Sequence, residues 1–173
     1  MASYSIRSAT LRDAKTIASI HSSVSEALEA KLVPAEFFKP QSIDASLTFW
    51  REAIEYAEPQ VQVAVTDDNT IVGFVGYDRS RDQGSKPTVG EIWAIYVLPA
   101  YWSTGAGLAL WDAARDGLIE EGCTKVTAWV PLAYERALRF HDMAGFKREM
   151  TTIKTVLVGL TRIEEIRFKR DLK

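Results

Sequence analysis

The stretch Val89-Gly90-Glu91-Ile92-Trp93-Ala94-Ile95-Tyr96-Val97-Leu98-Pro99, continued by Ala100-Tyr101-Trp102-Ser103-Thr104-Gly105-Ala106-Gly107-Leu108-Ala109-Leu110-Trp111, passes from a strand through a glycine turn into a helix. Its first part is the most apolar run in the chain. Period-two alternation puts Val89, Trp93, Ile95 and Val97 on one face, with Glu91 as the exception among them. Pro99 ends the strand, and a helical pattern then runs from Gly105 to about Glu121, where Gly122 stops it. Lys125 to Val130 reads as another strand. A strand, helix and strand in about forty residues make a right-handed crossover, so 89–97 and 125–130 are predicted to be parallel neighbours.

Working upstream, Tyr4 to Arg7 reads as a short strand, and Thr10 with Asp13 forms a capping box. The helix they start runs to about Ala30, on the spacing of Ile17, Ile20, Val24, Ala27 and Leu28, and Pro34 breaks the pattern. A second helix follows, with Ser42 as its cap and Ile43, Leu47, Trp50 and Ile54 as its apolar stripe; Pro59 ends it. The period then changes to two. Val61, Val63 and Val65, a turn at Asp67 to Thr70, and Ile71 to Tyr77 give an antiparallel hairpin. Asp78 to Thr88 reads as a surface loop without identifiable chemistry.

Downstream, Tyr134 to Met143 is a short helix terminated by Gly145. Phe146 to Ile153 and Ile163 to Phe168 are strands, the last with charge on alternate positions and so placed near an edge. The expected fold is α/β (α+β): a mixed seven-stranded sheet flanked by helices. A doubly wound parallel sheet is excluded, because the hairpin and the terminal pair are antiparallel and only one clear crossover exists.

The 173 residues and 47% apolar content suit one domain over 1–173. With 23 acidic and 21 basic side chains the formal charge is -2, which argues against nucleic acid as an obligatory partner. The basic residues after Gly145 are interrupted by Glu149, Glu164, Glu165 and Asp171, as on a solvated strand. One cysteine and two histidines form no internal disulfide and no metal set. No apolar run reaches signal-peptide length or the roughly 20 residues of a membrane span, so a soluble, cytoplasmic protein is expected.

Gly105 and Gly107 sit where the strand hands over to the helix. Glycine there leaves backbone N–H groups uncovered, and the helix start adds unpaired N–H groups and the positive end of its dipole. Such a turn suits phosphate, although the same glycines also suit close packing of helix on sheet. A dinucleotide fingerprint and a triphosphate loop are both absent.

Taken together, the strand ending Val97-Leu98-Pro99, the turn Trp102 to Gly107 and the apolar helix resemble the acetyl-CoA motif of the GNAT superfamily of acetyl-CoA-dependent N-acetyltransferases. That motif runs Val-x-Pro, then Arg or Gln, two variable residues, Gly, one variable residue and Gly or Ala. Trp129-Val130, Ala137, Phe140 and Ala144-Gly145-Phe146 are similar to the family's fifth strand, short helix and Gly-Phe ending. The resemblance implies a fourth and a fifth strand that splay apart, and acetyl-CoA as co-substrate. It implies cofactor contacts from Ile95, Tyr96, Val97, Trp102, Ser103, Thr104, Gly105, Ala106, Gly107, Tyr134 and His141, and it makes a homodimer an expected partner arrangement. Four positions depart from the pattern. Trp102 stands where Arg or Gln is usual and Ser103 where Gly is common, so Ser103 and Thr104 hydroxyls are candidates to replace the lost contact. Tyr134 stands for a frequent Asn, and His141 for a frequent Tyr.

Acetyl transfer from a thioester to an amine needs a neutral amine, donors for the tetrahedral oxyanion and a proton for the thiolate. An N–H of Ile95 or Val97 is the candidate oxyanion donor. Glu91, a carboxylate on a central strand, is the candidate base, against the alternatives that it lies at the strand's solvent end or pairs with an arginine. His141 and Tyr134 compete as the acid, with packing as the alternative for His141. His21 and Cys123 read as packing residues. Trp50, Phe37, Phe38 and Trp93 read as core or acceptor-pocket wall. Glu26, Glu29 and Glu36 lie in the region, about 25–45, that encloses the acceptor in the family; they read either as charge that favours a cationic amine or as ordinary acids on solvated helix faces. The expected activity is therefore acetyl transfer to a primary amine of a small molecule or peptide. The alternatives are acylation of a protein N-terminus or lysine, another acyl-CoA as donor, and an idle acyl-CoA-binding domain.

Overall fold

Thr10 and Asp13 start the first helix as their spacing predicts: the Thr10 N–H donates to Asp13 Oδ2 at 2.7 Å, and the Thr10 hydroxyl donates to the same oxygen at 3.2 Å. Arg7 adds two further donors to that carboxylate, at 2.7 and 3.1 Å, and so ties the first strand to the helix start. The computed structural model of the protein describes residues 3–29, 43–158 and 161–172. In chain order the elements are β1 (Ser5–Ser8), a 3-10 turn (Leu11–Asp13), α1 (Ala14–Glu29), α2 (Ile43–Tyr56), β2 (Gln60–Val65), β3 (Ile71–Arg79), β4 (Val89–Val97), a 3-10 turn (Pro99–Tyr101), α3 (Ala106–Glu120), β5 (Lys125–Pro131), α4 (Glu135–Met143), β6 (Lys147–Val158) and β7 (Thr161–Asp171). Ser42, Pro34 and the rest of 30–42 lie outside the described residues.

The strands form one seven-stranded sheet in the order β1-β2-β3-β4-β5-β7-β6. All neighbours are antiparallel except β4 and β5, which the crossover through α3 makes parallel. Two apolar clusters cover opposite faces. On one face Ile17, Ile20 and Val24 of α1 and Trp50 of α2 pack on Val61, Val63 and Phe74. On the other, Leu110, Trp111, Ala114 and Leu118 of α3 and Leu138 of α4 pack on Val75, Tyr77, Val126, Ala128, Ile166 and Phe168. Ile43 and Ala27, assigned to the apolar stripes by spacing, are exposed at the helix ends.

β7, expected near an edge, lies beside the edge strand β6, between it and β5. Its alternating charges mark one solvated face: Ile166 and Phe168 are buried on one side, while Glu165, Arg167 and Lys169 hold the intervening positions on the other. In β4, alternation fails because Tyr77 pairs with Ile92 and Gly76 with Ala94, leaving Trp93 as an extra residue, a β-bulge. The bulge reverses the phase. Ile95 and Val97 join Ile92 on the α3 side, whereas Glu91 faces the α1 and α2 side.

Arg7 holds the Asp13 carboxyl below its ordinary value of 3.8. A carboxylate depressed on folding stabilises the native state above its unfolded pKa, and this is lost as pH falls through the folded value. Asp13→Asn is therefore expected to cost about 1 kcal/mol at neutral pH. Urea unfolding should show that difference shrinking as pH is lowered below the carboxylate range; a difference independent of pH would contradict the pairing.

Candidate functional site

The pairing of β4 with β5 is confined to Val89–Lys125, Gly90–Val126 and Glu91–Thr127. Beyond it, β4 stays on β3 as far as Val97 and β5 stays on β7 as far as Pro131, so the two parallel strands diverge. The divergence begins next to the Trp93 bulge, which bends its own strand. Above the bulge, the Leu98 N–H donates to Val72 O at 2.9 Å. By the alternation of an antiparallel ladder, Tyr96 and Ala94 then turn their peptide groups to β3, and Ile95 and Val97 turn theirs to the gap. Of the three strand residues assigned to the cofactor, Tyr96 thus presents its ring instead of its backbone.

The turn Tyr101 to Gly107 closes the wide end of the gap. Gly105 has φ 97°, a left-handed conformation that a side chain disfavours, and it caps α3, whose first N–H groups have no acceptor within the helix. Gly107 has a separate reason to be glycine: a Cβ there would lie 2.9 Å from Phe140 Cε1 of α4. One glycine shapes the turn, and the other lets α4 close on α3. The Thr104 hydroxyl donates to Tyr101 O at 2.5 Å, so the Tyr4 hydroxyl, 2.6 Å away, donates to it; Thr104 braces the turn from within. Trp102 Nε1 donates to Val97 O at 2.8 Å, which fixes the indole and occupies that carbonyl. Arg136 Nη2 of α4 donates to Ser103 Oγ at 2.9 Å, and its guanidinium lies 4.4 Å from the Trp102 ring centre.

On the α1 and α2 side of the gap, Glu91 is only 1% exposed. Arg81 serves both of its oxygens: the backbone N–H donates to Oε1 at 2.9 Å, and Nη2 and Nε donate to Oε2 at 2.5 and 3.2 Å. The arginine pairing weighed as an alternative is therefore present. Asp82, the next residue, accepts from Trp129 Nε1 of β5 at 2.9 Å and from Arg167 of β7 at 3.1 Å. The loop after β3, read as chemically silent, thus straps β4, β5 and β7 together at the root of the gap. Arg81 lies 4.1 Å from the Trp93 ring centre and Lys154 Nζ 3.8 Å from that of Trp129. Farther along β4, His21 stacks on Tyr96 with ring centres 5.3 Å apart, and its Nδ1 accepts from Trp50 Nε1 at 3.2 Å. Since an indole N–H only donates, the proton of the His21 ring sits on Nε2.

Tyr134 caps α4, with its backbone N–H on Pro131 O at 3.0 Å, at the end of β5. His141, on the same helix, is 4% exposed among Phe140, Phe146 and Phe168. Its Nδ1 donates to Ala137 O at 2.8 Å, and burial lowers its pKa from the ordinary 6.5. The structure brings Ile95, Val97, the 102–107 turn and Tyr134 around the gap's wide end, whereas His141 sits in the packing beneath α4. Cys123 is buried, with its thiol pKa raised by burial. Glu36, Phe37 and Phe38 lie outside the described residues. Residue patterns missed Arg81, Asp82 and Arg136. A strand carboxylate followed into burial demands a cation, and that signal was available for Arg81.

The model of the Acetyltransferase (GNAT) family matches residues 25–146. Among related sequences, the mycothiol acetyltransferase of Kocuria rhizophila is 28% identical over 101 residues, covering 57% of this chain and 33% of that protein. The uncharacterized N-acetyltransferase YuaI of Bacillus subtilis is 26% identical over 127 residues, covering 72% of this chain and 70% of that one. The chain spans only 30 to 33% of the length of the first mycothiol acetyltransferases it matches. Among solved structures, an N-acetyltransferase from Staphylococcus aureus superposes with a TM-score of 0.78 at 20% identity, over 99% of each chain. The yncA protein of Salmonella typhimurium, solved with its cofactor acetyl-CoA, gives 0.75 at 19% identity, over 99% and 95%. These structural likenesses show the fold.

Because burial lowers the His141 pKa, the native state keeps this ring neutral where the unfolded chain starts to protonate, and stability falls as pH drops below 6.5. From pH 7 to about pH 5 the thermal midpoint of His141→Leu should fall less than that of the wild type. Equal falls would contradict a neutral, packed His141.

Proposed function

The chain belongs to the acetyltransferase (GNAT) family, and from that premise we propose that it transfers the acetyl group of acetyl-CoA to a primary amine of a small molecule or peptide, by direct attack of the amine on the thioester. One observation carries the reading: β4–β5 pairing stops at Glu91–Thr127, and the peptide groups of Ile95 and Val97 point into the opening below the α3 N-terminus. An extended pantetheine arm completes the interrupted ladder by hydrogen bonding to Ile95 and Val97. The pyrophosphate then falls at the turn 103–107, where N–H groups and the helix dipole favour an anion. The thioester lies deeper, near the bulge, where an N–H of this strand stabilises the oxyanion.

Amine attack forms the N–C bond, collapse of the tetrahedral species breaks the C–S bond, and the thiolate takes a proton. We take Tyr134, which caps α4 at the end of β5, as the acid that gives the thiolate its proton. Burial keeps the His141 ring neutral and without a spare proton for a thiolate. The amine loses its proton through Glu91, acting by way of water, when the half-exposed Arg81 releases one carboxylate oxygen. The aromatic rings of Tyr96, Trp93 and Trp129 and the ring of His21 wall the acceptor side.

The test is thiol release from acetyl-CoA in the presence of polyamines, amino acids, aminoglycosides and short peptides. At least one amine should support turnover; tight coenzyme A binding without turnover on any of them would favour an idle binding domain. With the active amine, Tyr134→Phe should lower kcat about a hundredfold and His141→Gln by less than about threefold. Glu91→Gln should lower kcat about tenfold. An unchanged kcat in Tyr134→Phe or in Glu91→Gln would remove that residue from the mechanism.

A further inference from the structure

The turn Tyr101 to Gly107 contains no cationic side chain, and Trp102 stands where the related motif carries Arg or Gln. The structure places a guanidinium at this turn from another element. Arg136, in the first turn of α4, lies 4.4 Å from the Trp102 ring centre and donates to Ser103 Oγ at 2.9 Å, across 33 residues of sequence. Among the described residues no carboxylate pairs with it, unlike Arg7, Arg81, Arg148 and Arg167. A guanidinium has five N–H donors, and the contact to Ser103 uses one. The platform beneath it is itself fixed, because Trp102 Nε1 is bonded to Val97 O. Stacking on a fixed indole orders a long side chain before a ligand arrives, which lowers the entropy lost on binding.

We propose that Arg136 is the phosphate-binding cation of this site: stacked on Trp102, it bonds a pyrophosphate oxygen of the acyl-CoA beside the N–H groups of the α3 start. Trp102 is then the platform of a relocated cation, and the departure from the motif is an exchange of two side chains on two elements. The proposal rests on the acyl-CoA reading above.

Titration calorimetry of the full chain with coenzyme A, dephospho-coenzyme A and pantetheine tests it, since these carry pyrophosphate plus 3′-phosphate, pyrophosphate alone and neither. Arg136→Gln should weaken coenzyme A and dephospho-coenzyme A about tenfold alike, flatten the salt dependence of both, and leave pantetheine unchanged. Arg136→Lys, which keeps the charge and loses the planar fork, should recover part of the affinity. An unchanged Kd for coenzyme A in Arg136→Gln overturns the proposal. So does an equal loss on pantetheine, which would mean a structural role, and so does a loss confined to coenzyme A, which would place Arg136 at the 3′-phosphate. A wild-type chain that binds none of the three overturns the acyl-CoA reading itself.

Discussion

Above Glu91, strand β4 has a neighbouring strand on only one side. Its pairing with β5 ends at Glu91–Thr127, and from there the peptide groups of Ile95 and Val97 lack a neighbouring strand. Exposed ladder groups inside a sheet are costly unless water or a ligand serves them. The opening is maintained from several directions. The Trp93 bulge bends β4, pairing with β7 along 125–131 holds β5, and Arg81 and Asp82 fasten β4, β5 and β7 at the root. An interrupted ladder of this kind recognises an extended amide-bearing chain by the same hydrogen bonds that make a sheet, which is what a pantetheine arm offers.

Around that opening, the two halves of the site depend on each other. The turn after β4 and the helix α4 lie about thirty residues apart in sequence, but Phe140 against Gly107, and Arg136 against Trp102 and Ser103, bring them into contact. Gly107 therefore serves the packing of α4 on α3. Thr104, braced by Tyr4 and Tyr101, stiffens the turn from the core side. An anion site that must exclude water needs such a rigid frame, because loosely held donors lose much of their electrostatic advantage to reorganisation.

Much of this was legible in the residues, for identifiable reasons. The crossover could be read because strand, glycine turn and helix differ sharply in periodicity, and Gly105 does adopt the left-handed conformation its position suggested. The bulge could not be read. Period-two alternation assumes one residue per pleat, so Trp93 placed Glu91 on the wrong side of Ile95 and Val97. The alternating charges of β7 point to a place near an edge, and the strand lies beside the edge strand β6, although the charges themselves report a solvated face. The loop after β3 looks inert in sequence because the partners of Asp82, at 129 and 167, are distant along the chain and nothing local marks them. His141 carries the lesson in reverse: a histidine at a family's functional position turned out to be packed by three phenylalanines.

The central claim is that the open side of β4 and the start of α3 form one continuous binding surface for an acyl-CoA. Amide hydrogen exchange with and without saturating coenzyme A addresses it directly, since exchange reports protection of individual backbone segments. The account predicts slowed exchange in peptides covering 95–97 and 103–108 together, with little change in β2 or in the β6 edge. Saturable binding that leaves both segments unprotected, or protects only segments elsewhere, would contradict it.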